Sequence, residues 1–267
     1  QNPHHEVFAE VEKLAFKPKY KLGQNFLIDT NISRKITKLV QGQLADPIIE
    51  IGPGTGSLTN ELLKDSYRIK AVELDTQLAS LLGERFSTIP NLEIFNEDAM
   101  EFDYSQLRGP WWILVSNLPY NIGTRLLVKL IIEVPVIHRY VIMVQKEVAE
   151  RIVAQPGSKD YGSLSVLTSL MTKAKVQFDV SKNCFHPKPK VTSSVVTIQR
   201  ERLLDEDLRL QAFEISKTAF QQKRKKIRTS LSSIISETDL EEIGIDSNLR
   251  ADSVTPQQYL KIAEFLK

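Results

Sequence analysis

The sequence predicts an α/β fold, a parallel sheet layered with helices, followed by a smaller all-helical part. Three observations predict it. An apolar run of strand length, Pro47-Ile48-Ile49-Glu50-Ile51, passes through Gly52-Pro53-Gly54-Thr55-Gly56 into the helix-like Ser57-Leu58-Thr59-Asn60-Glu61-Leu62-Leu63. Strand, glycine-rich turn and helix in that order open a nucleotide-binding βα unit. Strand-like runs recur behind it, and from about residue 204 strand signals stop and helical segments take over.

The 267 residues are 42% hydrophobic with a formal charge of +2, ample for one α/β domain and an appendage. No apolar run reaches membrane-spanning length. So small a net charge does not specify a polyanionic partner, which must be argued from local clusters. The one cysteine, Cys184, excludes an internal disulfide and suits a reducing compartment, so the expected location is cytoplasmic. With 4 histidines and no spaced Cys/His/Asp set, no metal site is expected. Residues 1–18, opening Gln1-Asn2-Pro3-His4-His5, read as an N-terminal extension outside the fold.

The expected α/β domain covers residues 19–203. Its approach, residues 17–27, is basic and turn-containing and precedes a helix at about residues 31–40. Two readings stand here: a solvated lead-in, or a segment whose Gln24, Asn25 and Leu27 fold over a ligand while the lysines meet phosphates. In the glycine turn, Gly52 and Gly54 let a ligand approach the backbone, and the following helix offers free N–H groups. The spacing is Gly-x-Gly-x-Gly rather than the dinucleotide Gly-x-Gly-x-x-Gly, and Glu50 precedes it. A carboxylate there repels a pyrophosphate but suits a cofactor with sulfonium and ammonium groups. That favours S-adenosylmethionine over NAD.

The second strand, Ile69-Lys70-Ala71-Val72, ends in Glu73, about twenty residues after the turn, where an acid binds the hydroxyls of a ribose. Asp75 nearby suits a helix N-cap. The third, Leu92-Glu93-Ile94-Phe95-Asn96, leads to Asp98, placed to accept an adenine amino group. A fourth run, Trp112-Ile113-Leu114-Val115, is followed by Asn117-Leu118-Pro119-Tyr120. An amide, a backbone-fixing proline and an aromatic ring at a strand's end form a slot for a planar amine: the Asn oxygen and a backbone carbonyl accept its hydrogens and the Tyr ring stacks on it. Alone, the tetrapeptide is equally a structural turn.

Beyond it come a helix at 126–134, a strand at 139–145, helices at 146–153 and 163–171 joined by a polar loop, and strands at 175–180 and 194–198. Between the last two, Phe185 stands beside proline-stiffened backbone with Lys188 and Lys190. The set suits stacking on a base and meeting its phosphates, although Phe185 is as readily ordinary core. Residues 204–267 are the expected helical, RNA-binding domain, with helices at 208–222, 226–235, 240–243 and 256–265. Lys223, Arg224, Lys225, Lys226 and Arg228 form the densest positive cluster, either a solvated face or a phosphate-binding surface.

Taken together, Gly23-Gln24-Asn25-Phe26-Leu27, Glu50 to Gly56, Glu73, Asp98, Asn117-Leu118-Pro119-Tyr120-Asn121-Ile122, Gln145-Lys146-Glu147-Val148, Phe185-x-Pro187-x-Pro189-Lys190-Val191 and Arg224-Lys225-Lys226-x-Arg228 occur in one order. In that order the chain resembles the KsgA-type ribosomal RNA adenine dimethyltransferases, from about Lys19 to Leu266. Macrolide-resistance methyltransferases of large-subunit rRNA share the core, but the ending at 244–266 is more similar to the KsgA type. Ser116, where relatives often carry Gly or Ala, is a mild departure. The resemblance implies a Rossmann-like class I methyltransferase sheet. It implies dimethylation by S-adenosylmethionine of N6 on two adjacent adenosines near the 3′ end of small-subunit rRNA, within a partly assembled 30S-type subunit, by a monomer. It implies that Gln24, Asn25, Leu27, Gly52, Gly54, Glu73, Leu74, Asp98, Ala99 and Asn117 line the cofactor. Asn117, Leu118, Pro119, Tyr120 and Phe185 would hold the flipped adenine. Two rivals remain: an assembly factor whose methyl transfer is dispensable, and a methyltransferase for DNA adenine or a glutamine side chain, whose motif is usually Pro-Pro-Tyr.

Overall fold

The computed structural model describes residues 24–40, 46–65 and 68–267. The expected extension at 1–18 and the basic approach at 17–23 lie outside the described residues. There are nine strands among those described: β1 (Phe26–Leu27), β2 (Ile48–Ile51), β3 (Ile69–Val72), β4 (Leu92–Phe95), β5 (Trp112–Asn117), β6 (Ile137–Gln145), β7 (Thr172–Val180), β8 (Phe185–His186) and β9 (Ser193–Arg200). Seven of them form one sheet in the order β4-β3-β2-β5-β6-β9-β7, and β1 and β8 form a separate antiparallel pair. β2 pairs in parallel with both β3 and β5, as do β3 with β4 and β5 with β6. β2 reads as a continuous apolar run because it is central: its four residues are at most 1% exposed. Chain order reverses between β2 and β5, the switch point at which loops from neighbouring strands diverge and leave a crevice.

Helices α1 (Thr30–Thr37), α2 (Ser57–Lys64), α3 (Thr76–Arg85) and α4 (Gly123–Glu133) accompany these strands. Asp29 caps α1 by accepting the Asn31 and Ile32 N–H groups. Asp75 caps α3 in the same way, as its position after β3 suggested. At the start of α2, Gly56 has φ +80, and a Cβ there would come within 2.8 Å of a Leu82 methyl. A glycine is therefore needed for both conformation and space.

The chain groups into two compact units, residues up to Lys146 with Val176–Ile198, and Glu147–Lys175 with Gln199–Lys267. This differs from the expected boundary at 203/204. Helices α5 (Lys146–Val153, after its first residue) and α6 (Ser163–Met171) belong with α7 (Glu206–Gln221), α8 (Ile227–Ser230), α9 (Glu237–Glu242) and α10 (Pro256–Phe265). The reason lies in polar contacts that are distant in sequence: the buried Tyr161 Oη donates to the Val254 carbonyl at 2.8 Å, and the Gly157 N–H, nearer the surface, to that of Asp252 at 2.7 Å. The helix expected over 226–235 is the short α8, after which the chain turns. At the early end a hydroxyl competes for a backbone group: Ser232 Oγ donates to the Thr229 carbonyl at 3.0 Å.

Candidate active site

A cavity of about 230 Å³ opens at the carboxyl ends of β2, β3, β4 and β5. Gln24, Asn25, Leu27, Gly52, Gly54, Glu73, Leu74, Asp98, Ala99 and Asn117 all border it, as do Leu118, Pro119 and Tyr120. Parallel strands deliver their final residues to one sheet edge, which is how Glu50, Glu73, Asp98 and Asn117 come to share a wall.

Its floor is the glycine turn. Gly54 has φ +57, and a Cβ there would lie 2.9 Å from Phe26 Cδ1. Only a glycine lets the Phe26 ring close down on the turn. Phe26 went unassigned in the sequence, although it sits inside the Gly23 to Leu27 motif. It arrives with Leu27 on β1, which pairs with β8 through Leu27 opposite Phe185. Two side-chain bonds fasten this strap: Gln24 Nε2 donates to Asp75 Oδ2 at 3.0 Å, and Asn117 Nδ2 donates to the Asn25 carbonyl at 3.0 Å.

Glu50, Glu73, Glu97 and Asp98 bring acidic groups to the wall, and no Lys, Arg or His is among the described residues lining it. Glu73 is 6% exposed and accepts the Gly54 N–H on Oε2 at 3.0 Å and the Asp75 N–H on Oε1 at 2.9 Å. Each oxygen keeps a lone pair for a ligand. Asn96, also unassigned in the sequence, holds the loop behind it by donating to the Glu73 and Leu74 carbonyls. Asp98, on the cavity wall, accepts the Met100 N–H on Oδ1 at 2.8 Å, and its Oδ2 has no hydrogen-bond donor among the described residues. Leu74, 47% exposed, is an uncovered apolar surface between these acids.

Glu50 is 1% exposed and accepts from Thr59 Oγ1 at 2.7 Å. Burial pushes its carboxyl up to about 8, against the Thr59 hydroxyl and with help from the Glu73 charge. Burial raises Glu73 as well. Between the ordinary 4.5 and about 8 the folded chain holds a proton at Glu50 that the unfolded chain has released. Stability contributed by this group therefore falls as pH rises through that window. Glu50→Gln is expected to flatten the fall in melting temperature across it; a slope equal to wild type would remove Glu50 as the source.

Asn117 is the last residue of β5, and its orientation is set by chemistry. A carbonyl only accepts, so the amide nitrogen faces Asn25 and Oδ1 is directed elsewhere. Of the two backbone carbonyls that follow, that of Pro119 already accepts the Gly123 N–H at 2.8 Å and the Ile122 N–H at 3.3 Å. The Leu118 carbonyl is the one without an N–H donor among the described residues. Leu118 itself is 1% exposed, which suits a main-chain contribution. Ser116 is buried and its hydroxyl donates to the Ile51 carbonyl at 2.5 Å, so the departure from Gly or Ala is accommodated.

The structure does not bring Phe185 to the cavity. It is 3% exposed in the core cluster with Leu27, Ile36 and Val180, and it reaches the site only by pairing with Leu27. Lys188 and Lys190 beside it are exposed, so an apolar ring turns inward while the cations turn out. The C-terminal cluster is exposed too, but not evenly available. Lys223 lies 3.8 Å from Asp252, Lys226 donates to Asn248 Oδ1 at 2.8 Å, and Arg228 pairs with Glu237 at 2.8 Å. Arg224 and Lys225, in the turn after α7, have no ion pair among the described residues.

Similarity to known proteins matches this geometry. The ribosomal RNA small subunit methyltransferase A of Brucella abortus biovar 1 (strain 9-941) is 43% identical over 262 residues, covering 95% of this chain and 94% of that one. The protein of the same description from Methylococcus capsulatus is 38% identical, covering 93% and 98%. Among solved structures, a dimethyladenosine transferase from Plasmodium falciparum shares the fold, with a TM-score of 0.75 at 24% identity over 88% of this chain and 94% of that one. The 23S rRNA methyltransferase ErmE superposes with a TM-score of 0.65 at 26% identity over 91% and 99%. The model of the family described as ribosomal RNA adenine dimethylase matches residues 15–267, nearly the whole chain, and the chain belongs to that family.

Proposed function

We propose that the protein transfers methyl groups from S-adenosylmethionine to N6 of adenosines in small-subunit rRNA, two to each of two neighbouring bases. One observation carries the reading: a cavity lined, among the described residues, by acids and no Lys, Arg or His ends at an amide whose Oδ1 is turned from its own backbone partner. The residues fit the cofactor. Glu73 suits a ribose diol and Asp98 with the apolar Leu74 and Ala99 an adenine; Glu50, which burial keeps protonated below about pH 8 in the free protein, gives up its proton more readily once a cationic group lies beside it, whereas a pyrophosphate would meet only acids.

When bound, the cofactor supplies an electrophilic methyl on a sulfonium. Everything else is positioning. Adenine N6 is a poor nucleophile because its lone pair is delocalised into the ring. Asn117 Oδ1 and the Leu118 carbonyl accept its two hydrogens, bias it toward tetrahedral geometry and aim the lone pair. Tyr120 stacks on the base. The two acceptors would hold N6 in line with the methyl that a bound cofactor supplies, and the proton that N6 gives up would pass to solvent. Alignment rather than a strong base carries the rate.

RNA phosphates meet the exposed Lys188 and Lys190 and, separately, the helical unit's basic turn. In support of a substrate in a partly assembled 30S-type particle, the relatives are described as small subunit methyltransferases. The enzyme is taken to act as a monomer; a reducing, cytoplasmic compartment accords with the single cysteine, and no described helix is long and apolar enough to cross a membrane. Because Lys223 and Arg228 face carboxylates, Arg224→Gln with Lys225→Gln is expected to lower the salt dependence of RNA affinity by about 1.5 log units per log unit of salt. Arg228→Gln should change it less. Titration from low to high salt reads both, and an unchanged slope in the double variant would reject this turn as the phosphate contact.

The reading is tested by offering unmethylated small-subunit RNA, adenine-containing DNA and a glutamine peptide side by side with labelled cofactor. Label in the RNA alone is expected. Preferential labelling of DNA or peptide would overturn it.

A further inference from the structure

Tyr120 hangs from a chain turn and points its hydroxyl at β9. There the hydroxyl shares a short hydrogen bond with Ser193 Oγ. Ser193 is 0% exposed, and Tyr120 is its side-chain partner in the structure. The residues on either side of Ser193 are held in turn by Lys146. The Lys146 N–H donates to the Thr192 carbonyl at 2.9 Å. Its Nζ lies 2.6 Å from Asp179 Oδ2, and Asp179 Oδ1 accepts from Ser194 Oγ at 2.7 Å. The Gln145-Lys146-Glu147-Val148 motif, to which the cavity gives no role, thus ends at the strand that carries Ser193.

We infer that Ser193 is a positioning residue for Tyr120, and that Lys146 and Asp179 keep Ser193 in place. The inference rests on the reading of Tyr120 as the surface on which the target adenine stacks. The physical reason is the geometry of a tyrosine. The hydroxyl lies on the axis about which the ring turns, so tethering it fixes where that axis points, while packing sets the plane. An untethered ring still stacks but swings about its Cα–Cβ bond, and the base swings with it. Because N6 must meet the methyl in line, a small displacement lowers the rate without touching the cofactor. Ser193 is fully buried and Tyr120 partly so, and burial raises the Tyr120 hydroxyl above its ordinary value, with the Ser193 bond pulling the other way. The group therefore stays protonated and able to donate.

The test compares wild type, Ser193→Ala, Tyr120→Phe and the double variant on unmethylated small subunits, measuring kcat together with cofactor Kd by calorimetry. Each single variant is expected to lose about tenfold in kcat, equivalent to about 1.4 kcal/mol, with Kd within about twofold of wild type. The double variant is expected to lose no more than the worse single one, since both remove the same bond. Wild-type kcat in either single variant, or losses that multiply to about a hundredfold, would overturn the inference. Should Ser193→Ala fail to bind cofactor and so prove misfolded, Tyr120→Phe, which leaves β9 unaltered, decides the question alone by the same criterion. An absence of transfer by wild type would overturn the proposed function, and this inference with it. A working wild type with unchanged variants would overturn this inference only.

Discussion

Asn117→Ala is expected to lose methyl transfer by about a thousandfold while cofactor affinity and RNA binding stay within a few fold of wild type. The size follows from what the amide does. Its Nδ2 is committed to the Asn25 carbonyl, so Oδ1 has one direction available, and the Leu118 carbonyl is the neighbouring acceptor. Two acceptors at fixed positions define the axis along which the N6 lone pair points. Removing one leaves the base free to turn in its slot, and losing a preorganised polar group of this kind costs about 10²–10³ in rate. Asn117→Asp is expected to be nearly as poor despite keeping an acceptor, because its carboxylate would face the Asn25 carbonyl with no hydrogen to share. Single-turnover transfer measured beside calorimetric Kd values separates chemistry from binding. Ordinary turnover in Asn117→Ala would remove Asn117 from the catalytic assignment.

Glu73→Ala is the second large effect and falls on the other measurement. A carboxylate accepting two ribose hydroxyls makes two charge-assisted bonds, together worth about 3 kcal/mol or more. Cofactor affinity should therefore fall about a hundredfold or further. The same carboxylate already accepts the Gly54 and Asp75 N–H groups in a buried setting. Its loss leaves both without their acceptor and should lower the melting temperature even in the absence of cofactor. Calorimetry with S-adenosylhomocysteine and a thermal melt of the free protein read the two consequences separately. An unchanged affinity would place the ribose elsewhere.

These residues were legible in the sequence because strand ends carry a signal that survives folding. Once Ile48 to Ile51, Ile69 to Val72 and Leu92 to Phe95 are parallel neighbours, Glu50, Glu73 and Asp98 must share an edge, and Asn117 at the end of Trp112 to Asn117 joins them. What was illegible depends on which face or partner a residue finds. Phe185 read equally well as a stacking ring or as core, and the choice was made by its pairing with Leu27 and burial among Ile36 and Val180. Five cations in six residues read as one surface, but Glu237, Asn248 and Asp252 come from later in the chain and engage three of them. The grouping of Glu147–Lys175 with the C-terminal helices likewise rests on Tyr161 and Gly157 finding Val254 and Asp252. Ser193 carried no local signal at all, since a serine opening a strand is unremarkable until the Tyr120 hydroxyl meets it.

The central claim is tested most directly by incubating the protein with labelled S-adenosylmethionine and unmethylated small ribosomal subunits, then digesting the RNA to nucleosides and mapping the modified positions. Dimethyladenosine at two neighbouring sites near the 3′ end is the expected result. Tight binding to the subunit with no labelled adenosine, from protein that binds the cofactor, would contradict it and leave an assembly factor built on a methyltransferase scaffold.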